Sequence, residues 1–231
     1  MPHVRTVAAE IPLAESAATT RTGGVKPALR GVPDVIATVL AVPAAVLLIA
    51  FAAGGTARLA GVVYSMGLVL LFATSATYHA PMWPRPVRAI LRGLDHSAIY
   101  VLIAASYTPP CLLILPSPYG GGLLVFVWTA AALGLVKSFV WPNAPRWLNT
   151  VVYVLFGWAI LPFAPALMHG LGILSSSLIA GGGALYTLGA VIYGRRWPDP
   201  QPTVFGYHEL FHIFVIAAAG CQYVAMWRLV T

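Results

Sequence analysis

The run Val35-Ile-Ala-Thr-Val-Leu-Ala-Val-Pro-Ala-Ala-Val-Leu-Leu-Ile-Ala-Phe-Ala-Ala53 contains no charged side chain. A helix of this length rises nearly 30 Å, about the thickness of the hydrocarbon layer, so the run reads as a membrane-crossing helix. Six further apolar stretches of similar length follow, at residues 59–78, 94–115, 123–141, 148–169, 174–193 and 208–230. Turn-forming residues separate them: Gly54-Gly55, the proline-bearing links 81–86, 116–122, 142–145 and 198–202, and the link 169–172. The expectation is an all-α integral membrane protein, a bundle of seven transmembrane helices spanning residues 32–231. Residues 1–31 mix Ala, Thr, Pro, Glu and Arg without periodicity and read as a disordered cytoplasmic tail. The first apolar run is an anchor and not a removed signal, because it has full spanning length and six more follow.

Composition agrees. Of 231 residues, 59% are apolar and 8% are charged, where soluble domains carry about 25% charged residues. The formal net charge of +7 in so apolar a chain faces anionic lipid, which excludes a nucleic-acid reader. Cys111 and Cys221 lie in apolar runs with no pairing or metal-binding pattern. No internal repeat links the spans, and an odd span count disfavours a duplicated transporter.

Eleven of the thirteen Lys and Arg residues fall in the tail and in alternate links, leaving only Arg58 and Arg228 for the other face. The positive-inside rule places the N-terminus in the cytoplasm and the C-terminus outside. Trp83, Trp141, Trp147 and Trp197 lie in the same basic links, where interfacial anchors belong. Arg85, Arg88 and Arg92, at i, i+3 and i+7, read as a basic interfacial helix against lipid headgroups.

Polar residues at membrane depth are costly, and here they converge. His79 ends the second stretch, Asp95 and His96 open the third, and His208, Glu209 and His212 open the last; by the charge count all these ends are cytoplasmic. His208 and His212 are four residues apart, hence on one helix face and able to reach one ion. Zinc accepts neutral imidazoles, and a catalytic site commonly uses three protein ligands. His79 is the third candidate ligand, Ser75 stands one turn deeper on its face, and Asp95 supplies a carboxylate to offset the metal charge or hold its water. His96 points about 100° away from Asp95 and reads as packing or an indirect support. Tyr78, Tyr107 and Tyr207 read as aromatic packing, and His3 and His169 as incidental.

Ser75-Ala-Thr-Tyr-His79, Leu94-Asp95-His96-Ser-Ala-Ile99 continuing to Ser106-Tyr107-Thr108-Pro109, and His208-xxx-His212 together resemble the hemolysin III branch of the progestin and adipoQ receptor family. The resemblance runs from about residue 30 to the end. It implies seven spans with the N-terminus inside, and zinc near the cytoplasmic face on His79, His208 and His212 with Asp95 and Ser75 close by. Gln222 stands where family members often carry a further histidine, which touches a local hydrogen bond and not the three-histidine set. The family resembles a wider group of intramembrane hydrolases that includes alkaline ceramidases, and the short tail suits its bacterial, cell-membrane branch.

The chemistry this implies is hydrolysis of a lipid amide such as a ceramide-like lipid, with a zinc-activated water attacking the carbonyl. Asp95 carries the proton and Ser75 helps stabilise the oxyanion. The alternative is a receptor-like or membrane-perturbing, cytolytic protein in which zinc only ties the second and seventh spans together. A metalloprotease reading of His208-Glu209-xx-His212, with Glu209 as base, is weaker because the resemblance asks only for the histidines. A channel is disfavoured by the lack of polar residues in the outer halves of the spans.

Overall fold

A computed structural model describes residues 26–231. Of the expected tail, residues 1–25, His3 among them, lie outside the described residues; Lys26 to Gly31 are docked on the body of the protein. The amides of Ala28 and Leu29 donate to the carbonyls of Thr203 and Val204 at 3.0 and 3.1 Å.

The helices are α1 (Val32–Phe51), α2 (Gly55–His79), α3 (Arg85–Leu113), α4 (Tyr119–Val140), α5 (Arg146–Trp158), α6 (Ala164–Arg195) and α7 (Tyr207–Val230). No β-strand occurs among the described residues. Six segments are long and apolar enough to cross a membrane, one of them the whole region Arg146–Arg195. Consecutive helices α1 to α4 pack side by side, and α7 runs against α6 while also touching α1, α2 and α3. That central position brings the start of α7 to the end of α2.

Small residues allow this packing. The buried face of α1 is Asp34, Ala37, Ala41, Ala45 and Leu48, a helical stripe that lets backbones approach as in membrane bundles. The opposite face carries exposed Ile36, Val39, Leu40, Val46 and Phe51, which suits lipid and not water. In α4 the small Gly134 lies under the Tyr100 ring, where an added Cβ would come 2.5 Å from ring carbons.

Two elements differ from the sequence expectation. Helix α3 begins at Arg85, well before residue 94, because Pro86 falls in its first turn, where a proline's fixed φ and missing N–H suit a helix start. The three arginines read as a separate interfacial helix are therefore the first two turns of α3. The stretch 148–169 is not one helix: α5 stops at Trp158, a 3-10 turn follows at Leu161–Phe163, and α6 begins at Ala164. Pro162 and Pro165 lack the amides that would continue the ladder. The Tyr107 hydroxyl lies 2.9 and 2.8 Å from the carbonyls of Phe156 and Gly157, supplying a donor to groups that the break would otherwise orphan.

Helix α6 is itself interrupted at Gly172, whose φ of 73° and ψ of 171° are not helical. The Ser176 hydroxyl reaches the Leu167 carbonyl at 3.3 Å, although residues nine apart in a straight helix are about 13 Å apart. The chain therefore turns back on itself at Gly172, inside the expected link 169–172.

Candidate metal centre

His79 is the last residue of α2, which ends where Pro81 and Pro84 follow. Helix α7 begins one residue before His208, and two carboxylates hold its start. The Gly206 amide donates to Glu209 Oε2 at 2.8 Å and the Tyr207 amide to Asp199 Oδ1 at 2.9 Å, satisfying amides that a helix start leaves free. His208 and His212 then sit on one face, one turn apart.

The three histidines converge. One ring nitrogen from each of His79, His208 and His212 lies within 4.8 Å of the others, with His79 and His212 buried and His208 half-buried. Nε2 of His208 is 3.3 Å from Nε2 of His79. Two nitrogens bound tetrahedrally to zinc at about 2.0–2.1 Å are separated by about 3.4 Å, so this spacing fits a shared ion. Nδ1 of His212 lies 2.8 Å from Asp34 Oδ1, and Asp34 is 1% exposed. The donated Nδ1–H leaves Nε2 of His212 with a free lone pair, the form a metal needs. That Nε2 is buried and has no hydrogen-bond partner among the described residues. A buried imidazole nitrogen is costly to leave unpaired, and a cation held with the other two histidines removes the cost.

Asp95 Oδ2 is 3.9 Å from His79 Nε2, so the carboxylate borders the same point. The Ser75 hydroxyl, one turn before His79, is buried without a partner among the described residues. Asp95 thus borders the cluster, and Ser75 lies one turn before His79 on α2. His96 lines the cavity and its carbonyl accepts from the Tyr153 hydroxyl at 3.3 Å; His169 is exposed on α6.

Glu209 does not face the cluster. Its Oε2 caps α7 and its Oε1 accepts from Arg30 Nε, so both oxygens serve to hold the start of the helix, which disfavours a role as metalloprotease base. Asp34 and Arg30 are the residues that sequence reasoning missed. Asp34 stands one position before the first apolar run, and its signal was scarcity: it is one of only six acidic residues.

A cavity of about 1430 Å³ opens beside the cluster. Its lining includes apolar Leu102, Ile103, Trp158, Val215 and Met226 together with polar Ser106, Thr187 and Gln222, and the exposed cations Lys26, Arg88 and Arg146. The Lys26 ammonium donates to the Ala80 carbonyl at 2.8 Å. Partial burial, and then the charges of Arg30 and Arg88, hold its pKa below the usual lysine value. Tyr78 packs as expected, its ring 4.5 Å from that of His79, whereas the Tyr207 hydroxyl also accepts from Arg146 at 3.3 Å.

The sequence profile described as Haemolysin-III related matches residues 24–223. Hemolysin-3 of Bacillus cereus is 33% identical over 191 residues, covering 81% of this chain and 84% of that protein. The Hemolysin-3 homolog of Bacillus subtilis (strain 168) is 33% identical over 81% of this chain and 86% of its own length. Heptahelical transmembrane protein ADIPOR2 of Oryza sativa subsp. japonica is 28% identical over 75% of this chain and 85% of its own length.

Proposed function

The chain belongs to the haemolysin-III-related family and is a multi-pass bacterial membrane protein; on that premise we propose that it binds zinc through His79, His208 and His212 and hydrolyses lipid amides of ceramide-like type. The observation that carries this is the buried, partnerless Nε2 of His212, turned toward two other imidazoles by the Asp34 carboxylate. Zinc in this donor set would supply Lewis acidity, polarising a carbonyl and lowering the pKa of water toward neutrality. Asp95 takes the proton from the attacking water and returns it to the leaving nitrogen. Water adds at the carbonyl carbon, the C–N bond breaks, and a fatty acid and an amine leave. Ser75 donates its O–H to the developing oxyanion. The apolar wall accommodates the acyl chain and excludes water from it.

The topology we propose has seven crossings with the N-terminus in the cytoplasm and the C-terminus outside. The reversal at Gly172 supports counting Arg146–Arg195 as two crossings. The bias of Lys and Arg to one face supports the orientation, which periplasmic and cytoplasmic reporters fused after Thr231 would test.

Elemental analysis of detergent-purified protein tests the metal: about one zinc per chain is expected, lost in His79→Ala and in His212→Ala. Mass spectrometry of a ceramide incubated with the wild type and Asp95→Asn tests the chemistry. The variant is expected to keep its zinc and lose turnover; undiminished turnover would mean that Asp95 does not carry the proton. Zinc without cleavage of any lipid amide would leave the metal as a tie between α2 and α7.

A further inference from the structure

Basic residues on one face of a membrane protein are ordinarily accounted for by its orientation and by lipid headgroups. Arg88 and Arg146 are placed more specifically. The Arg88 guanidinium lies 6.0 Å from the centre of the Tyr78 ring, and that ring is the neighbour of His79. The Arg146 guanidinium lies 5.7 Å from the Tyr193 ring, whose centre is 5.7 Å from that of His208. Both arginines and both tyrosines line the cavity. One cation thus stands one aromatic ring away from His79 and another one aromatic ring away from His208. Tyrosine faces hold such cations without neutralising them. Among the described residues neither arginine forms an ion pair; the one arginine that does is Arg30, with Glu209.

The acids near the mouth do not offset this charge. Glu209 is taken by Arg30, Asp34 by His212, and Asp199 accepts from the start of α7. Asp95 is left bordering the cluster itself. The lowered pKa of Lys26, partly caused by Arg30 and Arg88, reflects the same crowding of positive charge.

We propose that the ligand of this cavity is an amphiphile whose headgroup carries an anion, a carboxylate or phosphate, held between Arg88 and Arg146 while its chain lies along the apolar wall. The inference rests on the lipid-amide reading and narrows it: among lipid amides, those whose nitrogen carries an acidic group, as in an N-acyl amino acid, are bound more tightly than those carrying a neutral group such as a sphingoid alcohol. Guanidinium pairs well with such groups because its planar fork matches their oxygens.

The test uses the full-length, zinc-loaded protein in a non-ionic detergent. Binding of N-palmitoylglycine is compared with that of N-palmitoylglycinamide, which is nearly isosteric but uncharged. The acid is expected to bind about tenfold more tightly, and the preference to disappear in the Arg88→Gln/Arg146→Gln double variant while Arg88→Lys/Arg146→Lys keeps part of it. Zinc content and thermal melting of each variant report whether it is folded. Equal binding of the two probes by the wild type overturns the proposal. So does a preference that survives the Gln variant, which would assign it to the general field of the basic face. N-acetylglycine, the same head without a chain, is expected not to compete; effective competition would make this a site for soluble anions and overturn the amphiphile. Cleavage is read separately: an acid probe bound selectively but left intact refutes hydrolysis alone, and a probe cleaved without selectivity refutes the headgroup inference alone.

Discussion

His212 is fixed from one side by a carboxylate that nothing else engages among the described residues: Asp34 Oδ2 is buried without a partner while Oδ1 takes the imidazole N–H. Such outer carboxylates orient a ligating histidine and raise its basicity, and their loss costs about 10- to 100-fold in metal affinity. Asp34→Ala is therefore expected to weaken zinc binding by that range, measured by competition with a chromogenic chelator, without removing the metal at saturating zinc. Glu209→Gln separates the fold from the chemistry. It should leave zinc stoichiometry intact and lower stability by about 1 to 3 kcal/mol, the loss expected of a hydrogen bond to a charged group, as read by thermal melting. Loss of metal in that variant would contradict the placement of Glu209 away from the cluster. The histidines and Asp95 were legible in the sequence because polar residues inside apolar runs are few and costly. Asp34 was not, because only the packing of α1 against α7 brings it to His212.

Close contacts between helices set what each element tolerates. Gly134→Leu would push a side chain into the Tyr100 ring, and overpacking of this kind costs about 1–3 kcal/mol; a clear drop in melting temperature is expected. Gly121, on the same helix, has nothing within 4 Å of a Cβ, so Gly121→Leu should leave the melting temperature unchanged or slightly raised. The positions of α1, α2, α4 and α7 were legible from apolar length alone. The early start of α3 was obscured by its arginines, which lowered the apparent apolarity of its first turns. The broken region after Trp158 holds Pro162 and Pro165, but periodicity cannot say whether prolines kink a helix or end it.

The molecule as a whole is closed by the cluster, since His79 ends α2 while His208 and His212 begin α7. A ligand that binds only the folded state raises stability by about 4 kcal/mol at a thousandfold excess over its Kd. Chelation of zinc should accordingly lower the melting temperature of the wild type, and have no further effect on His79→Ala. The convergence of charged and polar residues on one face was legible because orientation and site chemistry leave separate marks in the sequence; the cavity and the aromatic rings under Arg88 and Arg146 were not, because they exist only once five helices meet. The placement of the donors also has a temporal side. His79 and His208 are 129 residues apart in the chain, an interval of roughly 6 to 26 s at ribosomal speeds of about 5–20 residues per second. Through that interval the growing protein holds one of the three histidines without the other two, so on the proposed reading a metal held by all three would be acquired only once the start of α7 has been made.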